Sequence, residues 1–184
     1  YLLILILIFN IDVINEILNI KIFVLNYIVL LFYLLLFNLL NKMYLGDSGS
    51  YLIGISIGSL LILIYKEISF ISPFFIVLLL WYPCFENLFS IIRKKKFNLS
   101  PLNADNKHLH HLLFYYLNTN YNFTKLSSNN ISSLLINLIN LIFFTIGANF
   151  LNNSFIQIIL IFSLISIYIF SYLILFKFRY KKIF

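Results

Sequence analysis

Five long apolar segments constrain the fold of this chain more than any other feature of its sequence. They cover residues 22–40, 49–65, 68–92, 131–151 and 154–176, and residues 1–9 look like the tail of an earlier segment. About 20 apolar residues are enough for a helix to cross the hydrocarbon core of a bilayer. The sequence therefore predicts an all-α, polytopic integral membrane protein with about five full transmembrane helices.

The composition excludes a soluble globular domain. Hydrophobic residues make up 62% of the chain and charged residues only 10%, whereas soluble domains carry about 25% charged residues. The net charge of +7 would also suit a nucleic-acid-binding protein, but the basic residues cluster just after apolar segments, at Lys42, 93–96 and 177–182. We therefore predict no nucleic-acid partner.

The same basic residues predict how the chain crosses the membrane. Lysine and arginine are enriched on the cytoplasmic side, and the three basic ends fall on one side if the five segments alternate in direction. The chain is thus expected to be a single transmembrane domain, residues 1–184, with a cytoplasmic loop at residues 93–130. Within this loop we expect a short surface helix at residues 108–116 and a polar linker at residues 118–130.

A short polar turn between the first two full segments carries Asp47. Magnesium prefers a few carboxylates together with water and phosphate oxygens. Gly46 and Gly49 would let the backbone approach a diphosphate, and the start of the next helix would add a favourable dipole. The alternative is structural, because Asp47 or Ser48 could cap the helix that begins near Gly49. The residues alone leave both interpretations open.

The three histidines of the chain lie close together, at His108, His110 and His111. On a helix, His108 and His111 would share a face and His110 would point away. Imidazoles can donate hydrogen bonds to a diphosphate, and Lys107 and Arg93 would add positive charge. Zinc is a rival ligand, but the chain offers no nearby cysteine and no histidine pair at helical i, i+4 spacing with a glutamate.

Glu86 lies inside the third full segment, shortly after Pro83. An ionisable residue inside a transmembrane segment is a functional candidate by default. Alternatively, the helix ends near Pro83 and Glu86 lies at the membrane interface. Both interpretations are open.

Taken together, these motifs resemble those of the polyprenyl-phosphate N-acetylhexosamine-1-phosphate transferases, the glycosyltransferase 4 family. Its aromatic-Met-Gly-Asp-x-Gly-Ser motif is matched by residues 44–50, and Asn38 resembles an asparagine that often precedes the motif. A second pattern, Pro-x-x-Asp, Arg, Ser-Pro and Asp-x-x-His-x-His-His, is matched by Pro83, Glu86, Arg93, Ser100, Pro101, Asp105, His108, His110 and His111. The resemblance covers nearly the whole chain, as roughly the C-terminal half of a family member.

The resemblance implies a multi-pass enzyme of the bacterial plasma membrane, with its active site and C-terminus in the cytoplasm. It would use Mg²⁺, or Mn²⁺ in its place, to transfer a sugar 1-phosphate from a UDP-N-acetylhexosamine to polyprenyl phosphate, releasing UMP. Such transfers serve cell-envelope polysaccharide synthesis. By the same resemblance, Asp47 is a catalytic residue and metal ligand, and the three histidines are catalytic residues that bind the diphosphate. The implied substrate-binding residues are Gly46, Ser48, Gly49, Glu86, Arg93 and Lys107.

The chain departs from the family pattern in three places. Glu86 replaces the usual aspartate, Leu112 stands where an arginine is common, and two acidic motifs that belong upstream of Tyr1 are absent. We therefore expect an N-terminally truncated fragment that is inactive alone. Two alternatives stay open: a non-catalytic membrane protein, such as a degenerate remnant or transporter fragment, and a metal-binding histidine sensor. The sugar and the oligomeric state are not readable from the residues.

Overall fold

The computed structural model describes residues 2–9, 18–96, 98, 100, 106–121 and 123–180, and these form helices without any strand. The all-α prediction is confirmed. In chain order the helices are α1 (Leu2–Phe9), α2 (Leu18–Leu39), α3 (Gly46–Glu67), α4 (Pro73–Lys96), α5 (Leu109–Asn120), α6 (Lys125–Ala148) and α7 (Ser154–Tyr180). Five of them, α2, α3, α4, α6 and α7, are long and apolar enough to cross a membrane. The protein is thus a multi-pass membrane protein.

The start of α4 differs from the sequence prediction. The third segment was expected to begin at Ile68, but α4 begins at Pro73. Residues 68–72 instead form the turn after α3, in which the Ile68 amide still bonds the Ile64 carbonyl at 2.9 Å. Proline suits the first position of a helix because its φ is preset and no amide hydrogen is needed there.

Helix α4 continues through Pro83 to Lys96. The interpretation that the helix ends near Pro83 is therefore wrong. Transmembrane helices tolerate an internal proline because neighbouring groups can satisfy the backbone carbonyl that loses its partner. Glu86 consequently lies on a continuous helix, where it is only 8% exposed.

The polar linker expected at residues 118–130 is mostly helical. Helix α5 runs to Asn120 and α6 already begins at Lys125. Thr124 caps α6, since its hydroxyl oxygen accepts a hydrogen bond from the Ser127 amide at 3.2 Å. This cap satisfies an amide that would otherwise lack a partner at the helix start. Ser128 and Ser132 are buried, and such small residues let two helices approach closely.

Contacts at the two ends of the bundle fix the relative directions of α4 and α7. At one end, the hydroxyls of Ser72 and Ser154 lie 2.8 Å apart. At the other end, Arg93 near the end of α4 bonds the hydroxyl of Tyr172 in the last third of α7. Helices α4 and α7 therefore run parallel. The basic ends of these two helices lie at the same end of the bundle, as the alternation of segments predicted, and we call it the site end.

Helix α6 runs antiparallel to α4 and α7. Gly147, at the end of α6, packs against the first turns of α4, and the buried Gln157 of α7 lies beside it. The Gln157 amide nitrogen donates to the carbonyls of Gly147 and Phe150, each at 2.8 Å. Each carbonyl also accepts a backbone amide, from Phe150 and Asn153 respectively, so Gln157 adds a second hydrogen bond to each carbonyl where α6 ends.

The Gly147 contact yields a stability prediction. A Cβ at this position would lie 2.5 Å from Leu78 Cδ2 and 3.0 Å from the Gln157 amide oxygen. Both Leu78 and Gln157 are fully buried, so there is little space into which they can shift. We expect Gly147→Ala to destabilise the detergent-solubilised protein by about 1–3 kcal/mol, measured as a lower melting temperature.

Gly58→Ala is the matched control, because a Cβ on Gly58 meets nothing within 4 Å. Alanine forms helices better than glycine, so this variant should melt at the same or a higher temperature. Equal melting temperatures for the two variants would show that Gly147 is not needed for the close approach.

Candidate functional site

Glu86 connects α4 with the start of α5. Its Oε1 atom lies 2.8 Å from His108 Nδ1 and accepts a hydrogen bond from the Leu109 amide at 3.2 Å. A buried carboxylate is costly unless charged or hydrogen-bonded partners surround it. Here the partners are the residue that precedes α5 and the first amide of that helix.

Aromatic side chains enclose the other side of the Glu86 carboxylate. Tyr82 and Tyr168 both lie close enough to interact with its charge. The rings of Phe85 and Phe89 pack on Tyr168 at 5.1 and 5.5 Å between centroids. Glu86 Oε2 and the Tyr168 hydroxyl are both buried, and neither has a partner at hydrogen-bonding geometry among the described residues.

The three histidines form one cluster at the site end. The ring centroids of His110 and His111 are 4.1 Å apart, and those of His108 and His110 are 5.7 Å apart. The expectation that His110 points away from the others is wrong. It assumed a helix through all three residues, whereas α5 begins at Leu109 and His108 precedes it with an extended backbone (φ −72°, ψ 153°).

Arg93 holds the backbone in front of the histidine cluster. Its Nη1 atom donates to the Lys107 carbonyl at 2.8 Å and to the Tyr172 hydroxyl at 2.9 Å. Its guanidinium also lies over the rings of Phe89 and Tyr172, 5.9 and 5.6 Å from their centroids. Arginine suits this position because its planar group can donate and stack at the same time.

Arg179 of α7 is part of the same region, although the sequence interpretation treated its basic segment only as an orientation signal. Its Nη1 atom donates to the Asn106 carbonyl at 3.0 Å. Its guanidinium lies 5.1 Å from the Tyr115 ring and 5.4 Å from the Tyr180 ring. Lys107 Nζ approaches the same Tyr180 ring at 5.7 Å. The regular spacing of aromatic residues along α7, at 168, 172, 176 and 180, was the available sequence signal.

Asp47 lies in the first turn of α3 and is exposed. Helix α3 begins at Gly46, and Leu45 occupies the capping position without a side-chain hydrogen bond. The interpretation of Asp47 or Ser48 as the cap is therefore wrong, because the helix starts one turn earlier than expected. The carboxylate instead sits where the helix dipole favours negative charge.

The two glycines of this turn have separate physical roles. Gly46 adopts a φ of +66°, a left-handed conformation that costs other residues about 1–2 kcal/mol. A Cβ on Gly49 would come within 2.9 Å of Leu45 Cγ. Asn38 Nδ2 donates to the Met43 carbonyl at 3.4 Å, which ties the end of α2 to the turn.

The structure brings six of the predicted site residues together and leaves four apart. Glu86, Arg93, Lys107 and the three histidines meet at the start of α5, as described above. Residues 46–49 lie together at the start of α3, and no described hydrogen bond or ion pair joins them to the histidine cluster. Asp105 and Pro101 lie outside the described residues.

The described residues do not form a complete metal site. They contain no group of three or more histidine, cysteine, aspartate or glutamate side chains placed to hold an ion. Asp47 offers one exposed carboxylate, and Mg²⁺ can be bound by one or two carboxylates plus water and phosphate oxygens.

The electrostatics of the histidine cluster favour an anionic ligand. Arg93, Lys107 and Arg179 lie around the start of α5 and outnumber the one carboxylate there, that of Glu86. The helix dipole adds partial positive charge. Desolvation and, after it, the adjacent His111 imidazole lower the pKa of His110. His110 is nevertheless exposed to solvent on one side, and with its pKa lowered the ring is neutral at neutral pH. A neutral imidazole can still donate one hydrogen bond.

Comparison with known proteins gives two relatives. The chain is 38% identical over 74 residues to a probable undecaprenyl-phosphate N-acetylglucosaminyl 1-phosphate transferase of Bacillus subtilis, covering 39% of this chain and 20% of the relative. It is 34% identical over 84 residues to a decaprenyl-phosphate N-acetylglucosaminephosphotransferase of Mycolicibacterium smegmatis, covering 39% of this chain and 21% of the relative. Over the aligned residues, the chain is similar to these two polyprenyl-phosphate N-acetylglucosaminephosphotransferases.

This relationship confirms the family resemblance that the motifs predicted. The chain spans about a fifth of the length of the curated relatives it matches. No family model matches the chain, and no solved structure matches it significantly.

The environment of His110 yields a titration prediction. In ¹⁵N-histidine NMR spectra of the detergent-solubilised protein, His110 should protonate below the ordinary histidine value of about 6.5. The unfolded chain then binds this proton at a higher pH than the folded protein does. The contribution of His110 to the free energy of unfolding should therefore be fully present above the ordinary value and fall as the pH drops below it. His111→Ala should raise the His110 pKa, since it removes the neighbouring imidazole. A His110 that titrates at or above 6.5 in the unaltered protein would contradict this environment.

Proposed function

We propose that the protein containing this chain is a transferase of the bacterial plasma membrane. It transfers N-acetylhexosamine 1-phosphate from a UDP-sugar to a polyprenyl phosphate. The observation that carries this proposal is the histidine cluster at the start of α5, next to Arg93 and Lys107, in a chain related to two polyprenyl-phosphate phosphotransferases. The acceptor and the sugar follow the names of those two relatives, and the UDP donor follows from the resemblance of this chain's motifs to the family.

The proposed reaction exchanges one phosphorus–oxygen bond for another. An oxygen of the polyprenyl phosphate attacks the phosphorus that carries the sugar. The bond from that phosphorus to the bridging oxygen of the diphosphate breaks, and UMP leaves with that oxygen. A polyprenyl-diphosphate sugar remains in the membrane.

The histidine cluster supplies positioning and charge for such a reaction. His110 and His111 lie in the first turn of α5, where a diphosphate would meet imidazole donors and the positive end of the helix dipole. Lys107 adds a cation next to them. Phosphoryl transfer depends mainly on orientation and on neutralising the charge of the equatorial oxygens, so this arrangement suits the UDP part of the donor.

The fold also suits a lipid substrate. The helices expose many large apolar side chains, particularly on α2 and α3, which hydrocarbon would cover in a bilayer. A polyprenyl chain would remain in that hydrocarbon while its phosphate reaches the site end. We place this end in the cytoplasm because the basic residues of α4 and α7 gather there.

Magnesium is part of the proposal on the strength of the family resemblance. Asp47 would be one of its oxygen ligands, and Mn²⁺ would substitute for it. The ion, when bound, would neutralise phosphate charge.

The transporter alternative is not favoured by the buried polar residues that the structure describes. Transport sites need polar groups that face a cavity near the middle of several spans. Asn140 instead accepts a hydrogen bond from Trp81 Nε1 at 2.9 Å, and the Gln157 amide nitrogen bonds the end of α6. These groups join helices to one another.

Enzyme assays of the purified full-length protein test the site assignments. With a UDP-N-acetylhexosamine, undecaprenyl phosphate and Mg²⁺, we expect Asp47→Asn and His110→Ala to lower kcat/KM by about 10²-fold or more, as the loss of one charge-stabilising group does elsewhere. Chelation of the metal should abolish UMP release, and Mg²⁺ should restore it. Glu67→Gln, at the opposite end of α3, is the control and should keep its activity. Unchanged rates in the Asp47 and His110 variants would refute these assignments.

The chain by itself gives a separate prediction. We expect it to fail to complement a strain that lacks the transferase, because two acidic motifs of the family do not occur in it. A full-length homologue should complement in the same vector. Growth supported by the chain alone would show that those motifs are dispensable.

A further inference from the structure

The segment in front of α5 is held at three successive points by side chains from two transmembrane helices. Arg179 of α7 bonds the Asn106 carbonyl, and Arg93 of α4 bonds the Lys107 carbonyl. The Glu86 carboxylate of α4 then accepts hydrogen bonds from His108 Nδ1 and from the Leu109 amide. Every residue from 106 to 109 is therefore attached to the membrane bundle, directly before the histidine cluster.

Glu86 sets both the start of α5 and the orientation of the His108 ring. A single oxygen, Oε1, takes the Leu109 amide at 3.2 Å and His108 Nδ1 at 2.8 Å. An ionised carboxylate only accepts hydrogen bonds, so the proton of this pair sits on Nδ1. His108 then has Nε2 as the ring atom left for a ligand. The hydrogen bond of one ring nitrogen fixes the state of the other in this way in many sites.

The two arginines fix the backbone with little freedom of their own. The Arg93 guanidinium lies over two aromatic rings, and so does that of Arg179. Stacking restrains the planar group, and its N–H donors then point at a carbonyl in a fixed direction. The two carbonyls belong to the 106–107 and 107–108 peptide groups, so together the arginines restrain two consecutive peptide groups.

We propose that Glu86, Arg93 and Arg179 are positioning residues that place His108 and the first turn of α5 for ligand binding. The family resemblance instead assigns Glu86 and Arg93 to substrate contact and says nothing about Arg179. The kinetic part of this inference rests on the proposed function, whereas the structural part does not. A displacement of about 1 Å at a reacting site can cost about 10²-fold in rate. Side chains that hold the first turn of α5 in place can therefore affect the rate without touching the substrate.

The tautomeric state of His108 tests the positioning role of Glu86 without any assay of activity. In ¹⁵N-histidine NMR spectra of the detergent-solubilised protein at neutral pH, His108 should carry its proton on Nδ1. Glu86→Ala should move the proton largely to Nε2, the form that histidine prefers in water. Glu86→Gln should retain the Nδ1 proton, because its amide oxygen can accept the same two bonds. Glu67→Ala controls for the loss of a carboxylate elsewhere and should change nothing.

Two results would overturn the assignment of Glu86. One is an unchanged His108 tautomer in folded Glu86→Ala. The other is an Nε2 proton in folded Glu86→Gln, which remains informative if the alanine variant does not fold.

Arg179 is tested by kinetics in the full-length protein, with the melting temperature as a check on folding. Arg179→Ala should lower kcat/KM for UMP release by about tenfold or more, and Arg179→Lys should recover part of it. Lys177→Ala removes the same charge from the same end of α7, and it should stay within about twofold of the unaltered protein. Equal effects of Arg179→Ala and Lys177→Ala would overturn the assignment. If the unaltered protein releases no UMP, the proposed function fails while the NMR result still decides the role of Glu86.

Discussion

The buried carboxylate of Glu86 is the interaction on which the site depends. It lies inside the helix bundle, where an uncompensated charge would cost several kcal/mol. Its compensation comes from His108 and the Leu109 amide, 22 and 23 residues further along the chain. The contacts that compensate the buried charge are therefore the same contacts that position the histidine cluster. If α5 moved away, the carboxylate would lose two of its partners.

The surrounding bundle makes this arrangement stiff. Helices α4 and α7 run parallel from the Ser72–Ser154 contact to the Arg93–Tyr172 bond. At the end that contains Ser72 and Ser154, hydrogen bonds of hydroxyl and amide groups around Gly147 and Gln157 join the helices. At the site end, arginine and tyrosine side chains around the histidines join them. In a bilayer the helix faces gain little from the hydrophobic effect, so close packing and polar contacts of this kind hold helices together. The proposed chemistry lies at the end where the positive groups gather.

Sequence reasoning predicted the helices and their directions but not the contacts between them. Apolar length and basic flanks are local properties, and they gave five membrane helices and the common end of Arg93 and Lys177. The Glu86–His108 pair joins positions that no local pattern relates, so Glu86 was known only as an ionisable residue in an apolar segment. Arg179 was overlooked because a basic residue after an apolar segment is already explained by membrane orientation. The predicted orientation of His110 was wrong because His108 has an extended backbone and so lies outside the helical periodicity.

The most direct measurement is a titration of the ¹⁵N-histidine-labelled full-length protein with UDP, followed by NMR, with uridine as the control that lacks phosphate. A diphosphate bound at the start of α5 should shift the His108, His110 and His111 signals saturably and raise the His110 pKa, because nearby negative charge favours the protonated ring. Uridine should leave all three signals unchanged. Histidine signals that do not respond to UDP, in a protein that still releases UMP from a UDP-sugar, would contradict a diphosphate site at the start of α5.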